Sequence, residues 1–177
     1  ANSALLHTGF DAVPGSLEAA LVRDGHARYH AIRERLGLSL LETGAALAAW
    51  TEAEVAALPG IVERAHENGV TDVRQVTAGE LLTREKHLAT DLAGGVWVPG
   101  EAVIDAWSAP ISYALQGLAN GGRIRRSTDV RTGELASGIW TLATGGDAIR
   151  ARVVINCAGN YGALVEAIAR PSPFQIK

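Results

Sequence analysis

The sequence predicts a mixed α+β fold, and three of its patterns carry that prediction. Apolar residues at helical spacing, preceded by capping signals, recur through the first two thirds of the 177-residue chain. Short extended runs follow one another between residues 123 and 151, as in a small antiparallel β-meander. The segment Arg150–Ala169, RARVVINCAGNYGALVEAIA, then predicts a buried strand, a glycine turn and the start of a helix.

We expect the rest of the chain to be organised around this last segment. Val153–Ile155 form a β-branched run, which is typical of a strand buried on both faces. The small residues at 156–159 leave the backbone accessible, and a helix N-terminus presents free N–H groups to an anion such as phosphate. An ordinary strand-to-helix connection explains the same pattern, so the local sequence leaves both interpretations open.

Composition describes one soluble globular domain, or one domain with a lobe. The hydrophobic fraction is 47% and the net charge is −3, which excludes disorder and a broad basic surface for nucleic acid. Neither an apolar run of membrane-span length nor a signal-peptide pattern occurs. The single cysteine, Cys157, fits a reducing compartment, so we expect a cytoplasmic protein, with peripheral association at the inner face of a membrane left open for a longer parent.

The chain contains no methionine, and its last residues, Phe174–Lys177, are typical of the start of a strand. We therefore expect it to be an excised piece of a longer protein.

Several helices are predicted from their ends. Ser16 caps a helix that Gly37 ends, and its expected core face is Leu17, Leu21, Tyr29, Ile32 and Leu36. Capping boxes begin helices at Thr51 with Glu54 and at Thr77 with Glu80. Pro59-Gly60 predicts a break after Leu58, followed by a second helix over 61–68 that Gly69 caps. Pro110 marks a further helix, whose expected buried face is Ile111, Ala114, Leu115 and Leu118.

Extended segments are predicted between and after these helices. The segment 38–50 should bend at Gly44, and Val96–Val98 should form a short strand that Pro99-Gly100 turns. The meander should use residues 123–126, 130–135, 139–144 and 148–151, with a hairpin at 145–147.

Few side chains are obvious candidates for chemistry. His26, His30 and Glu34 share one side of the first helix and could hold a metal, but a polar solvent-facing side is the favoured interpretation. Cys157 could be a nucleophile at a helix N-terminus, although we favour a packed, inert thiol. The remaining acid–base candidates are His7, Asp11, Glu101 and Asp105. Neither GxGxxG nor GxxxxGK[ST] is present.

Three sets of motifs, in this order, resemble one family. NSALLHTGF with PGSLEA, TREKHL before GGVWVPGEAVID, and ARVVINCAGNYG are similar to FAD-dependent oxidoreductases of the D-amino acid oxidase superfamily. The resemblance is to the glycerol-3-phosphate dehydrogenase and L-2-hydroxyglutarate oxidase branch. It implies part of a flavin-binding Rossmann-like domain, formed by residues 1–37 and 106–177 with the meander. Residues 38–105 would form part of a substrate or cap lobe.

The resemblance also implies where FAD would be contacted. The expected cofactor-binding residues are Asn2, Ser3, Gly9, Val130, Ala158 and Gly159. Val130 would meet the adenine through its backbone, and Ala158 with Gly159 would flank the diphosphate or ribose. His7 is the implied catalytic candidate, which either polarises a substrate hydroxyl or shapes the pocket. The chain departs from the family where it reads Arg84-Glu85-Lys86 instead of Arg-Glu-Pro, and it lacks the family's N-terminal fingerprint.

The expected function is therefore that of a parent enzyme. It would oxidise a small hydroxy compound, such as glycerol 3-phosphate or a 2-hydroxy acid, by passing a hydride to FAD. We expect the chain alone to be inactive, to lack FAD, and to self-associate through uncovered apolar surface. The alternative is a self-contained, non-enzymatic binding or interaction domain without flavin.

Overall fold

The structure, a computed structural model, describes residues 3–168. The chain divides into two compact units, one ending at Asn120 and the other beginning at Gly121. Both combine helices with small antiparallel sheets, which confirms the predicted mixed α+β class. The predicted strand start at Phe174–Lys177 and the cofactor residue Asn2 lie outside the described residues. Within the described range, no helix is long and apolar enough to cross a membrane.

The first unit contains a short two-stranded ladder. Strand β1 (Leu5–Leu6) pairs antiparallel with β5 (Ala102–Val103), and the helices α1 (Leu17–Leu36) and α4 (Ser108–Ala119) pack in the same buried cluster. One buried cluster joins them, formed by Leu6, Tyr29, Leu38, Ala102 and Ala109. This ladder matters for the site because it places the residues that follow Leu6 beside those that precede Ala102.

A three-stranded sheet lies beside this ladder in the same unit. Its order is β2 (Ala45–Ala49), β4 (Gly94–Val98) and β3 (Arg74–Thr77), all antiparallel, so the predicted strand at Val96–Val98 is confirmed. Helices α2 (Glu52–Glu67) and α3 (Ala78–Arg84) cover it. The core between α2 and the sheet consists of Ala49, Leu58, Ala65, Val73, Val96 and Val98.

The predicted helix caps are confirmed. The Ser16 hydroxyl accepts a hydrogen bond from the backbone N–H of Ala19, and Gly37 ends α1 in the left-handed conformation at φ 62°. Thr51 with Glu54 and Thr77 with Glu80 form complete capping boxes at the starts of α2 and α3. Each cap joins residues at most four positions apart, so it depends on local sequence alone.

The predicted break at Pro59 is wrong, because α2 is continuous from Glu52 to Glu67. Proline removes one backbone donor and costs about 3 kcal/mol inside a helix. Leu58 and Ala65, on either side of it, are 1% and 0% exposed. Burying an unbroken face of α2 against the sheet offsets the lost hydrogen bond.

Two predicted core faces are also wrong, the one on α1 in part and the one on α4 throughout. Leu17 and Leu21 at the start of α1 are exposed, whereas Tyr29, Ile32 and Leu36 lie in or against a buried cluster. On α4 all four residues of the predicted face, Ile111, Ala114, Leu115 and Leu118, are exposed, and the buried residue is Ala109. Helical spacing identifies which face is apolar, but it does not determine whether another element covers that face.

The second unit contains the predicted meander. Strands β6 (Thr132–Ala136), β7 (Ile139–Ala143) and β8 (Ile149–Ala151) pair antiparallel in sequence order, and the turn at 144–148 joins the last two. The Thr144 hydroxyl accepts from the backbone N–H of Gly146 and donates to the Asp147 carbonyl, which closes that turn. The expected extended run at 123–126 forms no strand.

The predicted buried strand at Val153–Ile155 is wrong. These residues form no strand, and Val153 and Ile155 are 73% and 80% exposed. A strand buried on both faces needs neighbouring strands and covering layers, and none of the described strands pairs with this run. After a 3-10 turn at Gly159–Tyr161 the expected helix does begin, but α5 (Gly162–Glu166) has only five residues.

Candidate functional site

The second unit contains a cavity of about 830 Å³, open to solvent on one side, between the meander and the segment that follows it. This volume is typical of small-molecule sites, which occupy about 300–1,000 Å³. The described residues that line it are Val130, Gly133, Glu134, Leu135, Trp140, Leu142, Val154, Ile155, Asn156, Cys157, Ala158, Val165, Glu166 and Ile168. Most of these side chains are apolar.

One wall of the cavity is a face of the meander. Leu135 pairs with Trp140 and Gly133 with Leu142 across β6 and β7, and side chains at alternate positions of a strand share one face. A Cβ at Gly133 would meet the Leu142 side chain at 3.0 Å and the Ile168 side chain at the same distance. Because Gly133 has no side chain, Leu142 and Ile168 can both pack over its backbone.

The opposite wall is irregular backbone held by one amide side chain. The Nδ2 of Asn156 donates to the Gly162 carbonyl at 2.8 Å, and its Oδ1 accepts from the Ala158 backbone N–H at 3.2 Å. Gly159 follows in the left-handed conformation at φ 55°. Asn156 thus ties the predicted glycine turn to the start of α5, although no strand leads into it.

The structure brings together two of the residues predicted to contact a cofactor. Val130 and Ala158 both line the cavity, and Gly159 directly follows Ala158. Ser3, His7 and Gly9 belong to the other unit. Sequence reasoning missed Leu135, Trp140 and Leu142 as lining residues. Their alternation along the two strands is the signal that could have identified them.

The lining determines which part of FAD this cavity fits. Two carboxylate side chains, Glu134 and Glu166, are present, and no Lys or Arg is among the described lining residues. A diphosphate requires cations or several free N–H donors, whereas adenine is flat, uncharged and suited to an apolar slot. The described lining of this cavity therefore has the chemistry that suits adenine and ribose, and it lacks the cations that suit a diphosphate.

The first unit contains a histidine paired with a buried carboxylate. Glu101 is 4% exposed, and its Oε2 lies 3.0 Å from the Nδ1 of His7. Its Oε1 accepts from the backbone N–H of Thr8 at 2.7 Å and from the Thr8 hydroxyl at 2.8 Å. The His7 side chain itself remains half exposed. Such a pair holds an imidazole in place while leaving its outer nitrogen accessible.

The other acid–base candidates lie apart from this pair. Asp11 is exposed, and the Asp105 carboxylate accepts from the backbone N–H of Trp107 at 2.9 Å. That hydrogen bond and those from Ser108 hold the pKa of Asp105 below its usual value. Asp105 thus serves the start of α4, and only Glu101 among the three carboxylates meets His7.

The histidines of α1 form no metal site in the described part of the chain, where no group of three potential ligands occurs. The rings of His26 and His30 stand 4.7 Å apart, and the Nε2–H of His26 is directed at the Gly100 carbonyl. Burial, followed by the neighbouring His26 and Arg33, lowers the pKa of His30. His30 and Glu34 are exposed, whereas His26 is partly buried and contacts the segment before β5.

Cys157 is exposed, so the expectation of a packed thiol is wrong. The reason is the missing strand at Val153–Ile155, which would have placed Cys157 at the end of a covered sheet. Its side chain lies on the wall of the cavity instead.

The chain is similar in sequence to curated proteins and in fold to solved structures. Among curated relatives, the chain is 26% identical over 161 residues to glycerol 3-phosphate dehydrogenase of Caloramator mitchellensis, which covers 91% of the chain and 34% of the relative. It is 28% identical to L-2-hydroxyglutarate dehydrogenase of Salmonella houtenae, covering 89% of the chain and 37% of that protein. The chain therefore spans little more than a third of these relatives' length.

Solved structures share the fold. L-alpha-glycerophosphate oxidase of Mycoplasma pneumoniae, determined with FAD bound, matches with a TM-score of 0.83 at 21% identity, over 96% of this chain and 46% of that one. Glycine oxidase of Geobacillus kaustophilus matches with a TM-score of 0.75 at 26% identity, over 94% of this chain and 46% of that one. The sequence profile of one family, FAD dependent oxidoreductase, matches residues 1–176. The chain therefore belongs to the DAO family of FAD-dependent oxidoreductases.

Proposed function

We propose that the protein containing this chain oxidises a small hydroxylated acid or phosphate ester with FAD as the acceptor. The observation that carries the proposal is the family match over residues 1–176, together with relatives named for glycerol 3-phosphate and L-2-hydroxyglutarate. Because the chain is a minor part of those relatives, substrate and activity belong to the protein as encoded and not to this stretch by itself.

Two sets of residues in the chain support the chemistry. Val130, Ala158 and Gly159 would hold the adenine and ribose in the apolar cavity. Asn2, Ser3 and Gly9 would lie close to the flavin. When bound, FAD would supply the acceptor for a hydride, which carries the electron pair of the broken C–H bond. The substrate would lose its hydroxyl proton to the Nε2 of His7 as its carbinol C–H bond breaks and a C=O bond forms.

The test uses the protein as encoded, with whatever residues flank this chain. Turnover would be measured with glycerol 3-phosphate, L-2-hydroxyglutarate and glycine, using a redox dye and oxygen as alternative electron acceptors. We expect a bound flavin and oxidation of a hydroxy compound but not of glycine. His7→Gln should lower kcat by about 10²- to 10⁴-fold, the usual contribution of a general base. His87→Gln is the matched control, because His87 is also exposed and its imidazole forms no ion pair with a carboxylate within residues 3–168.

Two results would contradict the proposal. Oxidation of glycine without oxidation of the hydroxy compounds would place the protein among amine oxidases. A protein that binds no flavin would favour the alternative of a non-enzymatic binding domain.

We infer further that the isolated chain neither binds FAD stoichiometrically nor turns over, and that it self-associates. Exposed apolar side chains support self-association, including Val153, Ile155 and Leu164. Light scattering tests it, since a monomer would contradict the inference, and a yellow complex after dialysis with FAD would contradict the first part. A cytoplasmic location agrees with the single, free cysteine.

A further inference from the structure

We propose that Glu101 is a positioning residue, which holds the proton of His7 on Nδ1 and presents the Nε2 lone pair outward. The part of the proposal that concerns substrate rests on the function proposed above. The tautomer itself is a property of this chain and can be measured without substrate or flavin.

The strand register places the two side chains together. β1 and β5 pair Leu5 with Val103 and Leu6 with Ala102, so the same register, continued one residue beyond the ladder, sets His7 opposite Glu101. Residues directly opposite each other on an antiparallel pair project from the same face, about 5 Å apart at Cβ. The contact between the Nδ1 of His7 and the Oε2 of Glu101 therefore follows from the strand register at the end of the ladder, although 94 positions separate the two residues.

The burial of Glu101 gives this contact its direction. A buried carboxylate must be hydrogen-bonded, and the bonds to Glu101 come from His7 and Thr8. In the described part of the chain, no Lys or Arg forms an ion pair with it. Because the two Thr8 bonds occupy Oε1, Oε2 is left to accept from the imidazole.

The tautomer follows from the chemistry of the two partners. An ionised carboxylate can only accept hydrogen bonds, so the Nδ1 of His7 must donate. In the neutral imidazole the proton is then on Nδ1, and Nε2 carries the lone pair. The His7 side chain is 47% exposed while that of Glu101 is 5% exposed, so the free nitrogen is on the accessible side of the pair.

This arrangement would serve the proposed oxidation in two ways. Nε2 can accept the hydroxyl proton only if it is unprotonated and directed outward, and the bond to Glu101 supplies both conditions. After the transfer, the buried carboxylate faces the imidazolium and stabilises its positive charge. Glu101 thus acts through His7 and does not itself contact substrate.

The test is nitrogen NMR of the chain labelled with ¹⁵N-histidine. Long-range ¹H–¹⁵N spectra recorded about two pH units above the usual histidine pKa of about 6.5 distinguish a protonated from an unprotonated ring nitrogen. The chain has five histidines, and loss of one signal set in His7→Gln assigns His7. We expect a protonated Nδ1 and an unprotonated Nε2 at His7. A proton on Nε2 in the unmodified chain would overturn the proposal.

Two variants separate positioning from a merely structural role. Glu101→Gln keeps the size of the side chain but lacks an ionised acceptor, so the His7 proton should shift toward Nε2. Thr8→Val removes one donor to Glu101 without touching His7, and it should leave the tautomer unchanged. An unchanged tautomer in Glu101→Gln, in a chain that remains folded by circular dichroism, would overturn the proposal.

A kinetic measurement on the protein as encoded completes the test. Glu101→Gln should lower kcat by about tenfold or more with little change in KM, since it weakens a base without removing a substrate contact. An unchanged kcat in an active protein would overturn the positioning role. If the protein oxidises no hydroxy compound, the proposed function fails while the NMR result still decides the tautomer.

Discussion

Gly44 packs its backbone against the indole ring of Trp97, leaving no room for a Cβ between them. The residue also adopts the left-handed conformation, at φ 65°, where the chain bends into β2. The guanidinium of Arg84 lies 4.2 Å from the centroid of the same indole. The bend predicted from sequence at Gly44 is therefore a packing requirement of Trp97 as well as a turn.

Gly44→Ala should destabilise the chain by about 2–4 kcal/mol, because overpacking and a strained backbone act together. Urea unfolding followed by tryptophan fluorescence measures the change. Gly60→Ala is the matched control: a Cβ at Gly60 in α2 meets nothing within 4 Å. It should be neutral or stabilise the chain by about 0.5–1 kcal/mol. Equal effects of the two substitutions would contradict the packing argument.

Asn68 secures the loop that follows His7. Its Nδ2 donates to the Gly9 carbonyl at 2.9 Å and to the Ala12 carbonyl at 2.8 Å. Asn68→Ala should lower the free energy of unfolding by about 1–3 kcal/mol, through the loss of two partly buried hydrogen bonds. Asn120→Ala provides the comparison, since Asn120 is also a helix C-cap but bonds only within its own exposed turn. Its effect should stay within about 0.5 kcal/mol.

The capping box at Thr51 predicts a stability that depends on pH. The backbone N–H of Trp50, then that of Thr51 and then the Thr51 hydroxyl, lower the pKa of Glu54 below its usual value. A carboxyl whose pKa falls on folding contributes stability above its unfolded pKa and loses that contribution as pH falls through the folded value. The midpoint of thermal unfolding should therefore drop as the pH is lowered through and below 4.5, the ordinary value.

Glu54→Gln should flatten that acid-side slope, because glutamine can still fill the capping box but does not titrate. Glu52→Gln removes a carboxylate from the same turn but leaves the capping box intact. Its unfolding midpoint should therefore depend on pH as steeply as that of the unmodified chain. A slope in Glu54→Gln as steep as that of Glu52→Gln would contradict the prediction.

Cys157 reports on the proposed adenine site. It is the single cysteine of the chain and is exposed on the cavity wall, so a thiol reagent should modify it without unfolding the protein. In the protein as encoded, modification should be slower when flavin is bound than after flavin removal. The Cys157→Ser variant measures how much reagent reacts with thiols outside this chain, and that amount is subtracted. Equal rates with and without flavin would place the cofactor away from Cys157.

Local features of the fold could be predicted from the sequence. Ser16, Thr51 with Glu54, and Gly37 mark helix ends correctly because each cap involves residues within about one helical turn. The meander was predictable for a similar reason, since short turns set its pairing. The family was identified because several motifs occur in the same order as in its members. No single motif would have been sufficient.

Predictions failed where burial or pairing decided the outcome. α2 continues through Pro59 because its flanking residues Leu58 and Ala65 are packed against a sheet. Val153–Ile155 form no strand because a β-branched run needs partner strands, and none of those described pairs with it. Apolar residues on α4 are exposed for a comparable reason, since periodicity cannot supply a covering element.

By itself, the sequence determined the helix caps, the three-stranded meander and the family, because these depend on short-range hydrogen bonds or on the order of motifs. Only the tertiary structure decided which side chains meet. His7 and Glu101 were both visible as acid–base candidates, but the register of β1 with β5 makes them a pair. Val130 and Ala158 were likewise separate until the chain folded around one cavity. Contacts between distant residues depend on how apolar surfaces are buried together, and that is a property of the whole packed unit.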